Sequence, residues 1–189
     1  MRKIWVTLVG LIALAPGAAR AQGIEEKAQV CTACHGENGV PQQSVIPVIW
    51  GQQLGYLFLQ LRDFKSGARK NELMAPIMQN LEPADFLPLA QYFSQKLWPD
   101  LQQPQASAAI TAQAQRANTS VVCTGCHQEN YKGDSTQPRL AGQHHDYLAK
   151  TMTDFRSGAR GNNPGMTDLM KATSEADIAA LATYLAGLQ

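Results

Sequence analysis

The sequence predicts an all-α protein built from two tandem copies of one small helical unit. No stretch of the 189 residues shows the period-two alternation of apolar and polar residues that is typical of a half-buried strand. Apolar residues instead recur at helical spacing in several segments. The second half of the chain also repeats blocks of the first half at a nearly constant offset, which indicates a duplicated structural unit.

Residues 1–21 are predicted to be a signal peptide. Arg2 and Lys3 supply a short positive region, residues 4–15 are almost uninterruptedly apolar, and a small-residue cleavage site precedes Gln22. The apolar run is shorter than the roughly 20 residues that span a bilayer, which argues against an uncleaved membrane anchor. We therefore expect export to the periplasm.

The rest of the chain is predicted to form two units joined by a linker. The first unit is expected at residues 22–98 and the second at residues 108–189. Residues 99–107 are rich in Pro and Gln and poor in apolar residues, as is typical of a linker. The block DFKSGAR, which begins at Asp63, returns as DFRSGAR at Asp154, 91 residues later.

Each unit is predicted to contain three helices. The middle helix carries an apolar stripe and stops at Gly67 in the first unit and at Gly158 in the second, because glycine adopts the left-handed conformation of a helix end without steric cost. The first and the closing helices are expected at about residues 24–30, 84–97, 108–117 and 176–188.

All four cysteines lie in two copies of one motif, CTACH at residues 31–35 and CTGCH at residues 123–127. A C-x-x-C-H motif is the attachment signal for a c-type haem, in which both thiols form thioethers with the porphyrin and the histidine ligates the iron. We therefore predict two covalently attached haem c groups, held by Cys31, Cys34, His35, Cys123, Cys126 and His127.

Three other uses of paired cysteines fit this motif less well. Disulfides are common in exported proteins, but a disulfide framework has no reason to place histidine after both pairs. A zinc site built from two C-x-x-C pairs leaves both histidines unexplained. Thioredoxin-like redox motifs accompany a βαβ pattern, which neither half shows.

The sixth position of each iron needs a second ligand, and a methionine sulfur there raises the reduction potential. Met74 and Met78 follow the first histidine by 39 and 43 residues, and Met166 and Met170 follow the second by the same distances, so spacing does not separate them. We favour Met74 and Met166, because a loop-forming run precedes Met166 and Pro76 closely follows Met74. The other two are better placed as flexible core fillers.

Four further residues are candidate contacts of the haem or its ligands. Pro47 and Pro138, 12 and 11 residues after the histidines, lie where a backbone carbonyl can accept a hydrogen bond from the ligand histidine. Arg69 and Arg160 end matched helices, where a guanidinium group either pairs with a haem propionate or faces solvent.

His144, His145 and Trp50 have no equivalent in the other half of the repeat. We expect the two histidines at the surface or near a propionate, and Trp50 in the wall of the haem cleft. The charge is nearly balanced: 16 Lys and Arg face 15 Asp and Glu, and three of the cations fall within the predicted signal peptide. No basic tract is present, so the sequence predicts no nucleic-acid partner.

With these motifs the chain resembles the di-haem class I cytochromes c of the cytochrome c4 family. The resemblance rests on the two C-x-x-C-H motifs, the Pro-x-x-x-Gly-Gln loop, the helix that ends Ser-Gly-Ala-Arg, and a methionine before the closing helix. It implies two small cytochrome c folds related by a pseudo-twofold axis, with neighbouring haem propionates and His/Met ligation. The family pattern points to Met74 and Met166 as the sulfur ligands and to Pro47 and Pro138 as the orienting carbonyls.

A protein with two closed irons and no set of catalytic side chains is expected to carry electrons. The expected partners are redox proteins that dock transiently, such as a membrane oxidase, a quinol-oxidising complex or a periplasmic dehydrogenase, and peripheral membrane association is compatible with that role. The alternatives are a haem enzyme of the peroxidase or thiosulfate-oxidising type, which requires an open iron, and a cytochrome subunit bound permanently to a dehydrogenase.

Overall fold

The computed structural model describes residues 16–189 of the chain, and in that part the backbone forms nine helices. Residues 1–15 of the predicted signal peptide lie outside the described residues, so cleavage before Gln22 stays a prediction. None of the described helices has the length and apolar character needed to cross a membrane. The helices are α1 (Pro16–His35), α2 (Leu54–Ser66), α3 (Met74–Gln79), α4 (Pro83–Ser94), α5 (Ala108–Val121), α6 (Thr124–His127), α7 (His145–Ser157), α8 (Pro164–Lys171) and α9 (Glu175–Ala186).

The helices enclose two separate hydrophobic clusters. One is formed by α1 to α4, hereafter the first unit, and has Phe86, Leu89 and Phe93 at its centre. The other is formed by α5 to α9, the second unit, and includes Leu181 and Leu185 of the closing helix. The all-α fold predicted from the sequence is confirmed.

Two predicted helix ends need correction, because the closing helices end at Ser94 and Ala186, earlier than expected. Each unit also contains a short helix before its closing helix that the sequence did not indicate, α3 in the first unit and α8 in the second. At the start of these helices the N–H groups of Met74 and Met166 donate to Asn71 Oδ1 and Asn163 Oδ1.

The first helices of the two units differ. α1 continues through the cysteine motif to His35, whereas α5 ends at Val121 and is followed by Val122, which has a φ of 50°. This left-handed conformation is strained for a β-branched residue. The second cysteine motif therefore forms a separate short helix, α6. Gly67 and Gly158 end α2 and α7 in the predicted left-handed conformation, with φ values of 77° and 82°.

The two units pack together through pairs of equivalent contacts. The N–H of Tyr56 donates to Ser135 O, and the N–H of Tyr147 donates to Ser44 O. Each contact becomes the other when the two units are exchanged, which is the relation that a pseudo-twofold axis produces. The segment between the units is also anchored, since Gln103 donates to the carbonyls of Gln143 and Ala186.

Candidate haem-binding site

A cavity of about 650 Å³ lies between the two units and draws its walls from both. Its walls are largely apolar, which suits a porphyrin. Residues of both cysteine motifs line it, together with one methionine of the first unit and three of the second. The chemically distinctive residues that line it are Cys31, Cys34, His35, Met74, Arg69, Cys123, Cys126, His127, Met166, Met170 and Arg160.

The two histidines of the motifs are buried and held in the same way. His35 Nδ1 lies 2.7 Å from Pro47 O, and His127 Nδ1 lies 2.9 Å from Pro138 O. Because a carbonyl only accepts, each Nδ1 carries the proton and donates, which leaves Nε2 free to bind a metal. Burial lowers the pKa of both imidazoles and outweighs the opposing effect of the proline carbonyls, which favours the neutral ligand form.

The four cysteines are free thiols beside these histidines. Cys31 and Cys123 are partly buried, and Cys34 and Cys126 are exposed. Burial raises the pKa of the Cys31 thiol to about 11 and also raises the pKa of Cys123. Among the described residues, no three His, Cys, Asp or Glu side chains converge as ligands of a bare metal ion.

The methionines fall into two environments. Met74 and Met166 are partly exposed, line the cavity and lie at the start of α3 and α8. Their backbone N–H groups donate to Asn71 Oδ1 and Asn163 Oδ1. Met78, in contrast, is only 2% exposed and belongs to the core of the first unit.

Met170 is equivalent to Met78 in the repeat and equally buried, although it also borders the cavity. Lys65 and Arg156 hold the two methionine segments in place. Lys65 donates to the carbonyls of Met78 and Leu81, and Arg156 makes the equivalent bonds to Lys171 and Thr173. Neither cation was singled out from the sequence, although the repeat pairs them.

Arg69 and Arg160 meet in one polar cluster where the units touch. Arg69 donates to Tyr147 Oη at 3.1 Å and to Gln60 Oε1 at 2.8 Å. Arg160, which is only 7% exposed, donates to Gln60 Oε1 at 2.9 Å and to Tyr56 Oη at 3.4 Å. Each arginine thus reaches the tyrosine of the opposite unit, and the solvent-facing alternative is wrong for Arg160.

This cluster has an excess of positive charge. Among the described residues neither guanidinium forms an ion pair with a carboxylate. Burial raises the pKa of Tyr147, but Arg69 and Arg160 outweigh it and bring that pKa down to about 7. An anionic group placed here would balance the two guanidinium groups, and carboxylates are the natural partners of arginine.

The site therefore fits two haem c groups: two thiols and one neutral imidazole per unit, a thioether in the facing segment, apolar walls, and a cationic cluster for carboxylates. One residue differs from expectation. Trp50 packs against Gly39 and under the ammonium group of Lys96, outside the residues that line the cavity. His144 directly precedes α7 and lies close to the backbone of Pro41 in the first unit, while His145, the first residue of α7, is partly exposed beside Asp146.

Comparisons with known proteins agree with this site. The model of the cytochrome c family matches residues 112–189. Cytochromes c4 of Azotobacter vinelandii and Pseudomonas aeruginosa are 37% and 38% identical to the chain, each with full coverage of both sequences. The structure of reduced recombinant cytochrome c4 from Pseudomonas stutzeri superposes with a TM-score of 0.79 at 33% identity, covering 89% of this chain and 98% of that one.

A more distant relative is a thiosulfate dehydrogenase electron acceptor from Stutzerimonas stutzeri, which is 29% identical over 88% of this chain and 82% of its own length. The fold and the site define the class of protein: a di-haem c-type cytochrome that transfers electrons, made of two class I cytochrome c units. Within that class the chain belongs to the cytochrome c4 family.

Proposed function

We propose that the protein is a periplasmic carrier of single electrons in which both irons have one histidine and one methionine ligand. His35 and Met74 would bind the first iron, and His127 and Met166 the second. The observation that carries this proposal is the matched placement of Met74 and Met166, which lie in the first turn of equivalent helices and line the cavity that their histidines share. An iron closed on both sides has no position for a substrate, which favours electron transfer.

The two haems supply the redox chemistry, and the side chains of this protein set its conditions. The carbonyls of Pro47 and Pro138 fix the tautomer and the orientation of the ligand histidines. The thioether sulfurs of the methionines favour the ferrous state and so raise the potential. The apolar walls keep water away, which limits the reorganisation that accompanies each electron transfer.

Arg69 and Arg160 are the proposed partners of the haem propionates. Their guanidinium groups lie in the same cluster, bridged by Gln60, where the two units meet. Carboxylates from both haems would therefore converge at this cluster. That arrangement supports transfer of an electron between the two haems within one molecule.

The proposed partners are redox proteins of the cell envelope that dock transiently. A membrane oxidase, a quinol-oxidising complex or a periplasmic dehydrogenase would each serve as donor or acceptor, and peripheral association with the membrane is compatible with such docking. The relative named as an electron acceptor of thiosulfate dehydrogenase supports a dehydrogenase as the donor. In that reading this chain receives electrons from the enzyme and does not itself oxidise thiosulfate.

The ligand set is tested by the visible and near-infrared spectrum of the oxidised holoprotein. The unmodified protein should be low-spin and show a sulfur-to-iron charge-transfer band. Met74→Ala and Met166→Ala should each remove about half of that band, because each variant opens one of two irons. Met78→Ala and Met170→Ala are the matched controls and should retain it.

A high-spin iron in the unmodified protein would instead favour a haem enzyme. Permanent association with a dehydrogenase is tested by salt: a transient electrostatic complex dissociates as the ionic strength rises, whereas a fixed subunit co-purifies with its enzyme at high salt.

A further inference from the structure

Each unit contains one buried glutamine whose side chain binds the backbone of the other unit. Gln52 of the first unit and Gln143 of the second are 4% and 2% exposed. Gln52 accepts from the N–H of Arg139 at 2.7 Å and donates to Arg139 O at 3.0 Å. Gln143 makes the same pair of bonds with Val48, at 2.9 Å and 3.0 Å. These four bonds cross between the units.

The residues that bind these glutamines, Arg139 and Val48, directly follow Pro138 and Pro47, whose carbonyls accept from the ligand histidines. Pro138 C=O and the Arg139 N–H belong to one planar peptide group. His127 donates to its oxygen, and its N–H donates to Gln52. A continuous hydrogen-bonded chain thus runs from the amide of Gln52, through one peptide group, to the imidazole of His127.

The same chain exists in the other direction. His35 donates to Pro47 O, and the N–H of the same peptide group, that of Val48, donates to Gln143. Hydrogen bonds at the two ends of a peptide group strengthen each other. When the peptide N–H donates to the glutamine Oε1, the carbonyl oxygen of the same peptide group becomes more negative. A better carbonyl acceptor makes the imidazole a more basic ligand.

We propose that Gln52 and Gln143 are positioning residues for the iron-ligating histidines of the opposite units. Each glutamine orients and polarises the peptide group that holds a histidine across the interface. The ligand strength of His127 then depends on Gln52 in the first unit, and that of His35 depends on Gln143 in the second. Contact between the units thereby sets the potential of both haems.

This inference rests on the proposed role of the two histidines as iron ligands and predicts a crossed response. In the full-length holoprotein, Gln52→Met removes both bonds to Arg139 while retaining the length and volume of the side chain. We expect the potential of the haem on Cys123 and Cys126 to rise, because a less basic histidine stabilises the ferric state less. The Nδ1–H resonance of His127 should shift with it.

Gln143→Met should produce the reciprocal result, a higher potential for the haem on Cys31 and Cys34 and a shifted His35 resonance. The matched control is Gln53→Ala. Gln53 also crosses the interface, but its side chain donates to Lys132 O and Gly133 O and makes no hydrogen bond to either proline peptide group. This variant should leave both potentials and both histidine resonances unchanged.

A shift of both haems by the same amount, a shift of the haem in the same unit as the substitution, or an equal effect in Gln53→Ala would overturn the proposal. If Gln52→Met or Gln143→Met fails to fold, Gln52→Asn and Gln143→Asn serve instead. They retain the amide group, but the side chain is one methylene too short to reach Arg139 or Val48. They should give the same crossed pattern. Two low-spin haems without a crossed shift would refute only this inference, whereas loss of low-spin ligation in the unmodified protein would refute the proposed ligand set.

Discussion

At the scale of single residues, the two units fill equivalent space with exchanged side chains. Trp50 covers Gly39 in the first unit, and the equivalent residues of the second unit are Ala141 and Tyr131. Gly39 and Tyr131 both have a positive φ, 82° and 55°. In each unit one of the two positions holds a small residue and the other a large aromatic residue, and the order is exchanged between the units.

This exchange predicts that Gly39→Ala destabilises the protein by about 1–3 kcal/mol, because the backbone there is left-handed and the added Cβ meets the Trp50 indole. The Cβ would lie 2.6 Å from the nearest indole carbon. Denaturant unfolding of the holoprotein measures the loss.

The pair Gly39→Tyr and Trp50→Ala recreates the arrangement of the second unit. In a double-mutant cycle the two changes together should cost less than the sum of the single changes. Additive costs would show that the two positions do not share one space.

At the scale of elements, the short helices α3 and α8 present the proposed methionine ligands. Just before each helix lies an asparagine, Asn71 or Asn163, whose Oδ1 accepts a hydrogen bond from the N–H of the methionine itself. The asparagine therefore fixes the first turn of the helix and the methionine backbone at once. Lys65 and Arg156 anchor the other ends through backbone carbonyls.

Replacing the cap of α8 should loosen the methionine before the rest of the molecule. Asn163→Ala is expected to cost about 1 kcal/mol of stability, as for other N-cap removals. In urea the sulfur-to-iron band should disappear at a lower concentration than the helical circular dichroism signal. Asn71→Ala should act in the same way on the first haem.

Ser174→Ala is the matched control for this experiment, because the Ser174 hydroxyl caps α9 by accepting from Asp177 N–H and makes no hydrogen bond to α8. It should lower the overall stability by a similar amount while the band and the helical signal still change together. An early loss of the band in this control would contradict a specific role for Asn163.

At the scale of the whole molecule, the interface between the units contains a polar cluster. Arg69 and Arg160 share Gln60 and reach the tyrosines of opposite units. The arginines also stack on Phe64 and Phe155 of their own units, at 4.5 Å and 4.4 Å from the ring centres. The cluster therefore links both cores with the proposed position of the propionates.

Arg160→Met should reduce the stability of the holoprotein by about 1–3 kcal/mol, because the hydrogen bonds of Arg160 to Gln60 Oε1, Tyr56 Oη and Asn162 Oδ1 are lost. Arg69→Met should do the same, and the double variant should be non-additive because both arginines share Gln60. Loss of positive charge should also lower both haem potentials. Unchanged haem potentials in both variants would contradict the proposal that these arginines pair with the propionates.

The sequence alone determined the class of fold, the repeat, the two covalent haems and the cysteine pairs that attach them. These properties are local or periodic: a C-x-x-C-H motif needs five consecutive residues, and helical spacing shows within a few turns. The ends of α2 and α7 followed from single glycines for the same reason.

Only the tertiary structure decided how the units depend on each other. The roles of Gln52, Gln143, Tyr56, Tyr147 and Gln60 arise from contacts between residues that are far apart in the chain, and no local pattern marks such contacts. The packing of Trp50 on Gly39 was not predicted, because it depends on the space that the missing side chain of Gly39 leaves for the indole ring. Functions that depend on residues close together in the sequence could be predicted from it. Functions that depend on contacts between the two units could be recognised only in the tertiary structure.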